Sequence, residues 1–334
     1  MRHHAVRGFA TRAISVMSLD PDKLRRIPIE RSPVVSPDVF WDRYLTGCGK
    51  PVIVTDALKG WPALSKWSFE FFKSHFGSAY VVPTAQPSSQ CMKMVKLADY
   101  IDVLDQPDAV LPGFWIDPIS RLPLEMPPVM PRSPLYLAWN VFVKFPELLP
   151  DVILSPGFVD DWVPLLPPAF RTILDEATRY FLAGIMMGPK GSRSKLHFDF
   201  LHTHAYLAQI VGQKKCTLFS PQDSAALYDG KIQLDQPDYD RYPLFSEATA
   251  YEGILEPGNM LFIPPCWWHE VIAIENSITV NYNFFNRFNF GSFLTDLLRE
   301  LPSVVHGLNQ VPGARDALGI RWACKGFDIP KGDL

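Results

Sequence analysis

Lys195-Leu-His197-Phe-Asp199-Phe-Leu-His202-Thr-His204 is the stretch from which the rest of the chain can be read. On an extended backbone, residues two apart share a face, so His197 and Asp199 project an imidazole and a carboxylate toward one point. Around it lie short β-branched and aromatic runs at residues 181–187, 206–211, 215–219, 259–263, 269–274 and 278–284. Gly188-Pro189, Gly212 and Pro257-Gly258 punctuate them as turns. Short strands broken by such turns predict an all-β barrel or sandwich. The 32 prolines and 13% aromatic residues of the 334-residue chain also argue against a helical bundle.

Toward the N-terminus the pattern is mixed. Residues 36–45 and 68–75 read as short helices, the second with Ser68 as N-cap and Phe69, Phe72 and Phe76 at helical spacing. Pro51-Val-Ile-Val-Thr55 reads as a buried strand, residues 93–96 as another and 97–104 as a helix. The proline-dense stretch 107–134 is expected to form an ordered loop that covers a substrate surface. After Gly291, the residues Phe293, Leu294, Leu297, Leu298 and Leu301 mark an apolar helical face, expected to bury itself in a homodimer. The expected division is a disordered tail at 1–27, a mixed α/β lead-in at 28–179, a β core at 180–285 and a helical region at 286–334. Arg2, Arg7 and Arg12 with no acid before Leu19 faintly resemble a mitochondrial transit peptide, but a cytoplasmic tail is the expectation.

Composition narrows the function. With 47% hydrophobic and 20% charged residues the chain can build a full core. Thirty-two Lys and Arg against 35 Asp and Glu leave a net charge of −3, which provides no basic field for nucleic acid. Apolar runs such as 180–188 are far shorter than the roughly 20 residues of a membrane helix. Five scattered cysteines without a CxxC pair indicate neither a disulfide framework nor a thiolate zinc site.

A third metal ligand is offered by Pro264-Pro-Cys-Trp-Trp-His269, on a late strand. Two histidines and one carboxylate on one face leave the other positions of an octahedral ion open, an arrangement suited to non-haem Fe(II). Lys214 and Lys215 follow the turn at Gly212, and strand alternation lets only one of them face inward. A buried lysine needs an acidic partner, which a dicarboxylate co-substrate would provide. A zinc hydrolase is disfavoured because His269-Glu-Val-Ile-Ala273 lacks the second histidine of H-E-x-x-H. His202 and His204 could instead form the metal pair of a small-molecule cupin dioxygenase or isomerase, although no glutamate follows them in residues 205–212. Otherwise they read as solvated loop residues or substrate contacts. A catalytically silent metal-binding β-barrel that mediates interactions is the non-enzyme alternative.

With His197-Phe-Asp199, Ala208-Gln-Ile-Val-Gly-Gln-Lys214-Lys-Cys-Thr-Leu-Phe-Ser-Pro221 and Pro257-Gly-Asn-Met-Leu-Phe-Ile-Pro-Pro-Cys-Trp-Trp-His269 in hand, the chain resembles the JmjC-type cupin family of Fe(II) and 2-oxoglutarate-dependent oxygenases. Leu234-Asp-Gln-Pro-Asp-Tyr-Asp-Arg-Tyr-Pro-Leu-Phe245 and Ile278-Thr-Val-Asn-Tyr282 carry the resemblance toward asparaginyl hydroxylases of the kind that modify hypoxia-inducible factor. It spans roughly residues 27–285. What it implies is a mainly β fold with flanking helices around a double-stranded β-helix, the jelly-roll or cupin core. It implies Fe(II) held by His197, Asp199 and His269, with 2-oxoglutarate and dioxygen as co-substrates. Lys214 would pair with the distal carboxylate of 2-oxoglutarate, helped by Ser194 and Tyr136, and Asn281 would line the same pocket. The implied reaction hydroxylates a polypeptide side chain, releasing succinate and carbon dioxide. The family commonly has threonine where Ser194 stands, asparagine near Ala205 and glutamine near Ala138, differences that bear on target choice more than on iron chemistry.

Overall fold

The β-branched and aromatic runs pair into two sheets that share an apolar interior. The structure is a computed structural model that describes residues 24–83, 92–106, 111, 113–116, 123–124, 136–168 and 182–309. The first half contributes β1 (Arg25–Pro28), β2 (Glu30–Ser32), β3 (Val52–Val54), β4 (Tyr80–Val81), β5 (Met92–Lys96), β6 (Phe114–Ile116), β7 (Pro123–Leu124) and β8 (Leu137–Trp139). The second half contributes β9 (Ala183–Gly188), β10 (Arg193–His197), β11 (His204–Val211), β12 (Lys214–Phe219), β13 (Thr249–Leu255), β14 (Met260–Ile263), β15 (Trp268–Ala273) and β16 (Ser277–Phe284).

One sheet runs β1-β13-β12-β15-β10 and the other β2-β3-β14-β11-β16-β9-β8, with a four-stranded β4-β5-β6-β7 sheet beside them. Ile53, Ala205, Leu261 and Ile263 of the seven-stranded sheet meet Cys216, Leu218, Leu255 and Val271 of the five-stranded sheet in one buried cluster. This is the expected jelly-roll core. The opposite face of the seven-stranded sheet, including Tyr206, Phe262, Val280 and Phe284, packs against Phe40, Tyr44, Trp67, Phe72 and Tyr100 from the lead-in. Because both of its faces are covered, every residue of β16 is buried, and the strand reads as a continuous run rather than an alternation. Ser68 caps the helix Phe69–Phe76 as expected, its hydroxyl accepting from the Phe71 N–H at 3.0 Å.

Several boundaries differ from the sequence reading. Residues 25–27, expected in the disordered tail, form β1 parallel to β13, and Leu24 beside them is buried; the rest of that tail lies outside the described residues. The core is not confined to 180–285, because β1, β2, β3 and β8 complete its two sheets. Within 107–134 the described residues include β6 and β7, which extend β5, so this stretch is not wholly loop.

The helix Phe290–Asn309 forms as expected, but it already has a place to pack. Phe293 stacks on Phe285 with ring centroids 4.1 Å apart, and Leu297 is buried, whereas Leu294 and Leu298 are exposed. Of the four residues of that face whose burial is described, the barrel covers Phe293 and Leu297; the Leu301 side chain lies outside the described residues. Among the described residues, no helix is long and apolar enough to cross a membrane.

His204 corrects another expectation. Far from being a solvated loop residue, it opens β11 on the helix-covered face, with its ring between Phe262 and Phe284. Burial pushes its pKa down to about 3, against an ordinary value of 6.5. The unfolded chain therefore takes up a proton first as the medium is acidified. Stability contributed by neutral His204 is present above about pH 6.5 and is lost as pH falls toward 3. His204→Phe should flatten the fall of melting temperature across this window, since Asn286 Oδ1 keeps the Phe288 N–H as donor at 3.0 Å. An unchanged slope would show that His204 is not a source of the acid sensitivity.

Candidate functional site

The site is set by the pairing of β10 with β15, which places His197 directly opposite His269. Their rings lie 4.2 Å apart between centroids. Each Nδ1 meets the carbonyl two residues earlier, Lys195 O at 2.6 Å for His197 and Trp267 O at 3.0 Å for His269. A carbonyl can only accept, so each Nδ1 carries the proton and each Nε2 keeps its lone pair. Burial, reinforced by the neighbouring His197, lowers the His269 pKa to about 4, so His269 is a neutral donor at physiological pH.

Asp199 follows the end of β10 with extended backbone angles and leads into a single 3-10 turn, Phe200–His202. Its Oδ1 lies 3.9 Å from His197 Nε2 and 3.9 Å from His269 Nε2. The three candidate donor atoms all fall within 4.8 Å of one another. Two free imidazole nitrogens and a carboxylate oxygen at this separation, with both Nδ1–H groups anchored on carbonyls, fit a divalent transition metal. His197 is the exposed member of the set and His269 the buried one. The site is therefore open on the His197 side.

Lys214 lies deeper on the same inner face. Gly212 makes the preceding turn at φ +68°, where a Cβ would sit 2.2 Å from Asn276 O. That turn sets the register in which Lys214 stands opposite Ala273 while Leu218 stands opposite His269. Lys214 is 1% exposed, and its Nζ donates to Tyr136 Oη at 3.2 Å. Among the described residues no carboxylate forms an ion pair with it. Lys215 points outward and pairs with Glu252 Oε1 at 3.1 Å. Cys216, inward beside Lys214, has its thiol pushed up to about 12 by burial, so it is no nucleophile.

Ser194 and Asn281 come to the inner face of their sheets, and Tyr136 meets Lys214. Ser194 stands opposite Val271, and the register shift between Ser194 and His197 brings both onto the inner face. Asn281 pairs with Leu207, which puts its buried amide on the inner face, where its Oδ1 has no partner. Ser192 Oγ is similarly orphaned, and a Cβ on Gly188 would lie 2.5 Å from it and 2.8 Å from Tyr136 Cδ2. A buried lysine with no carboxylate ion pair among the described residues, and a Ser192 hydroxyl without a partner that can donate, fit an anionic ligand with several oxygens.

His202 is not part of this constellation. Its Nδ1 pairs with Asp296 Oδ2 on the C-terminal helix, and His204 is buried on the other side of the sheet. The alternative metal pair of His202 and His204 is therefore split between two environments. Sequence reasoning missed Asn283, whose Nδ2 donates to Asp199 Oδ2 at 3.1 Å. Alternation from Asn281 along β16 could have found it.

The model of the cupin-like domain matches residues 119–290. The arginine-specific demethylase JMJ20 of Arabidopsis thaliana is 25% identical over 285 residues, covering 78% of this chain and 57% of that protein. Lysine-specific demethylase 8 of Xenopus tropicalis is 28% identical, over 73% of this chain and 49% of that protein. The tRNA wybutosine-synthesizing protein 5 of Mus musculus is 36% identical over 108 residues, or 31% of this chain and 34% of that protein. The chain spans about half the length of the two demethylases. These likenesses carry the JmjC cupin kinship; they do not carry a particular closeness to asparaginyl hydroxylases.

The contrast between the two lysines is directly testable. Lys214→Ala should weaken dicarboxylate binding, measured by calorimetry with 2-oxoglutarate, by about 1.5–3 kcal/mol, the worth of a charge-assisted contact. Lys215→Ala removes a surface ion pair of about 0–1 kcal/mol and should leave that affinity alone. Sensitivity at Lys215 and not at Lys214 would contradict the inward register of β12.

Proposed function

The chain belongs to the cupin-like domain family, and from that premise we propose that it is an Fe(II) and 2-oxoglutarate-dependent oxygenase that hydroxylates a polypeptide side chain. The observation that carries the proposal is the convergence of two free Nε2 atoms and Asp199 Oδ1 on the same inner face as Lys214, a buried lysine that has no carboxylate ion pair among the described residues. Bound iron and its co-substrates would supply oxidative decarboxylation of 2-oxoglutarate to succinate and carbon dioxide, coupled to oxygenation of a C–H bond.

The protein's own residues position and shield. His197, Asp199 and His269 hold the metal, and the carboxylate lowers its net charge. Lys214, Tyr136 and Ser194 receive the distal carboxylate of 2-oxoglutarate, and Asn281 offers an amide along the same wall. Leu218, Leu255, Ile263 and Val271 line the interior with hydrocarbon, which excludes water from the chamber. With only these three protein donors, a bound ion would stay open to exogenous ligands.

A polypeptide substrate is supported by the two relatives named as arginine- and lysine-specific demethylases. The net charge of −3 argues against a phosphate-tracking surface. The wybutosine-synthesizing relative makes tRNA the competitor to exclude. Homodimerisation through the C-terminal helix belongs to the same reading, supported by exposed Leu294 and Leu298, and a monomer in light scattering would remove it.

Succinate release should be followed with peptide libraries, tRNA and metabolite extracts in the presence of Fe(II) and 2-oxoglutarate. The reading expects stimulation by peptides and a peptide mass gain of about one oxygen atom, abolished in His197→Ala, Asp199→Ala and His269→Ala. Formaldehyde release from methylated peptides would replace hydroxylation with demethylation. Stimulation by tRNA or metabolites alone would overturn the polypeptide substrate, and full turnover in any alanine variant would overturn the metal site.

A further inference from the structure

Asn283 stands on β16 two residues beyond Asn281 and opposite Ala205 of β11, so its side chain enters the chamber from the seven-stranded sheet. It is 8% exposed. One N–H of its amide donates to Asp199 Oδ2 at 3.1 Å, and Nδ2 also donates to Thr203 Oγ1 at 3.1 Å. Thr203 is itself buried, and its hydroxyl donates to Phe200 O at 3.0 Å. The amide thus bridges the carboxylate of Asp199 to the end of the short turn that follows it.

This bridge bears on a weakness of the site. His197 and His269 are fixed by paired strands and by carbonyls on Nδ1, but Asp199 lies beyond the end of β10 and has no ladder partner there. Its carboxylate could swing about χ1 or turn either oxygen inward. With Oδ2 engaged by Asn283, Oδ1 is the oxygen left facing the two Nε2 atoms, 3.9 Å from each. A hydrogen bond to the non-ligating oxygen fixes the carboxylate and favours one-oxygen coordination.

Resting on the metal-site reading above, we propose that Asn283 is the positioning residue for Asp199: it presents Oδ1 to the metal and couples the ligand to the 200–203 turn. The five-stranded sheet supplies the three ligands or their immediate extension, and the opposite sheet supplies the group that aims the least constrained one. Closure of the two sheets on each other is then part of assembling the metal centre. Asn283 acts through Asp199, the candidate ligand that its amide engages.

Mn(II) affinity, measured by electron paramagnetic resonance titration without 2-oxoglutarate or substrate, tests this independently of turnover. Asn283→Ala should lower Mn(II) affinity by roughly ten- to a hundred-fold, the usual effect of losing a group that orients a metal ligand. In the Asp199→Ala background the same substitution should have no further effect, because the residue it positions is gone. Thermal melts of the metal-free proteins establish that each is folded, and Asn283→Ser replaces Asn283→Ala in the cycle if the alanine variant does not fold. Unchanged Mn(II) affinity in folded Asn283→Ala, or an equal loss in the Asp199→Ala background, would overturn the positioning role while His197→Ala still weakens binding. Affinity unaffected by His197→Ala would instead overturn the metal-site reading, and this inference with it.

Discussion

The antiparallel pairing of β10 with β15 brings His197 across from His269 and makes every other feature of the site usable. Backbone hydrogen bonds along the two strands fix where each imidazole starts, and a local carbonyl fixes which nitrogen is free. The entropy of bringing two distant segments together is borne by the sheet, so a metal would meet donors that are already assembled. Asp199 is the exception. It projects past the ladder and depends on an amide from the facing sheet.

A second constraint is the charge of Lys214. Burying an ammonium without an anion is costly, and a phenol oxygen from Tyr136 is weak compensation. A fold that keeps such a lysine in its interior favours an incoming carboxylate, because among the described residues no carboxylate pairs with it. The Ser192 hydroxyl, also without a partner, adds a donor that a carboxylate oxygen could accept from. The metal donors reach solvent at His197 while Lys214 lies buried on the same inner face, an asymmetry that supports the proposed 2-oxo acid bearing a second carboxylate.

Much of this was legible in the sequence, for local reasons. His197 and Asp199 were readable because extended backbone continues through Asp199 even though the ladder stops at His197. Lys214 was distinguishable from Lys215 because Gly212 fixes the turn and alternation does the rest. Ser194 could not have been placed by counting, since three residues from a ligand is the wrong parity for a regular strand; the irregularity between them restores the face. β13 escaped notice because Gly253 interrupts its pattern. A Cβ there would come within 2.9 Å of Ile53 Cδ1, so close packing between sheets removes the side chain that would have signalled the strand. His204 was misread because polarity suggests solvent, and nothing local reveals two phenylalanine rings arriving from β14 and β16.

The most direct measurement is of where a metal and a dicarboxylate bind. Crystals grown without oxygen in the presence of Mn(II) and 2-oxoglutarate, with data collected at the manganese absorption edge, would locate both. An anomalous peak should lie between His197 Nε2, Asp199 Oδ1 and His269 Nε2, with the distal carboxylate of 2-oxoglutarate on Lys214 Nζ. A peak elsewhere, such as at the His202 and Asp296 pair, or a dicarboxylate that leaves Lys214 unpaired, would contradict it.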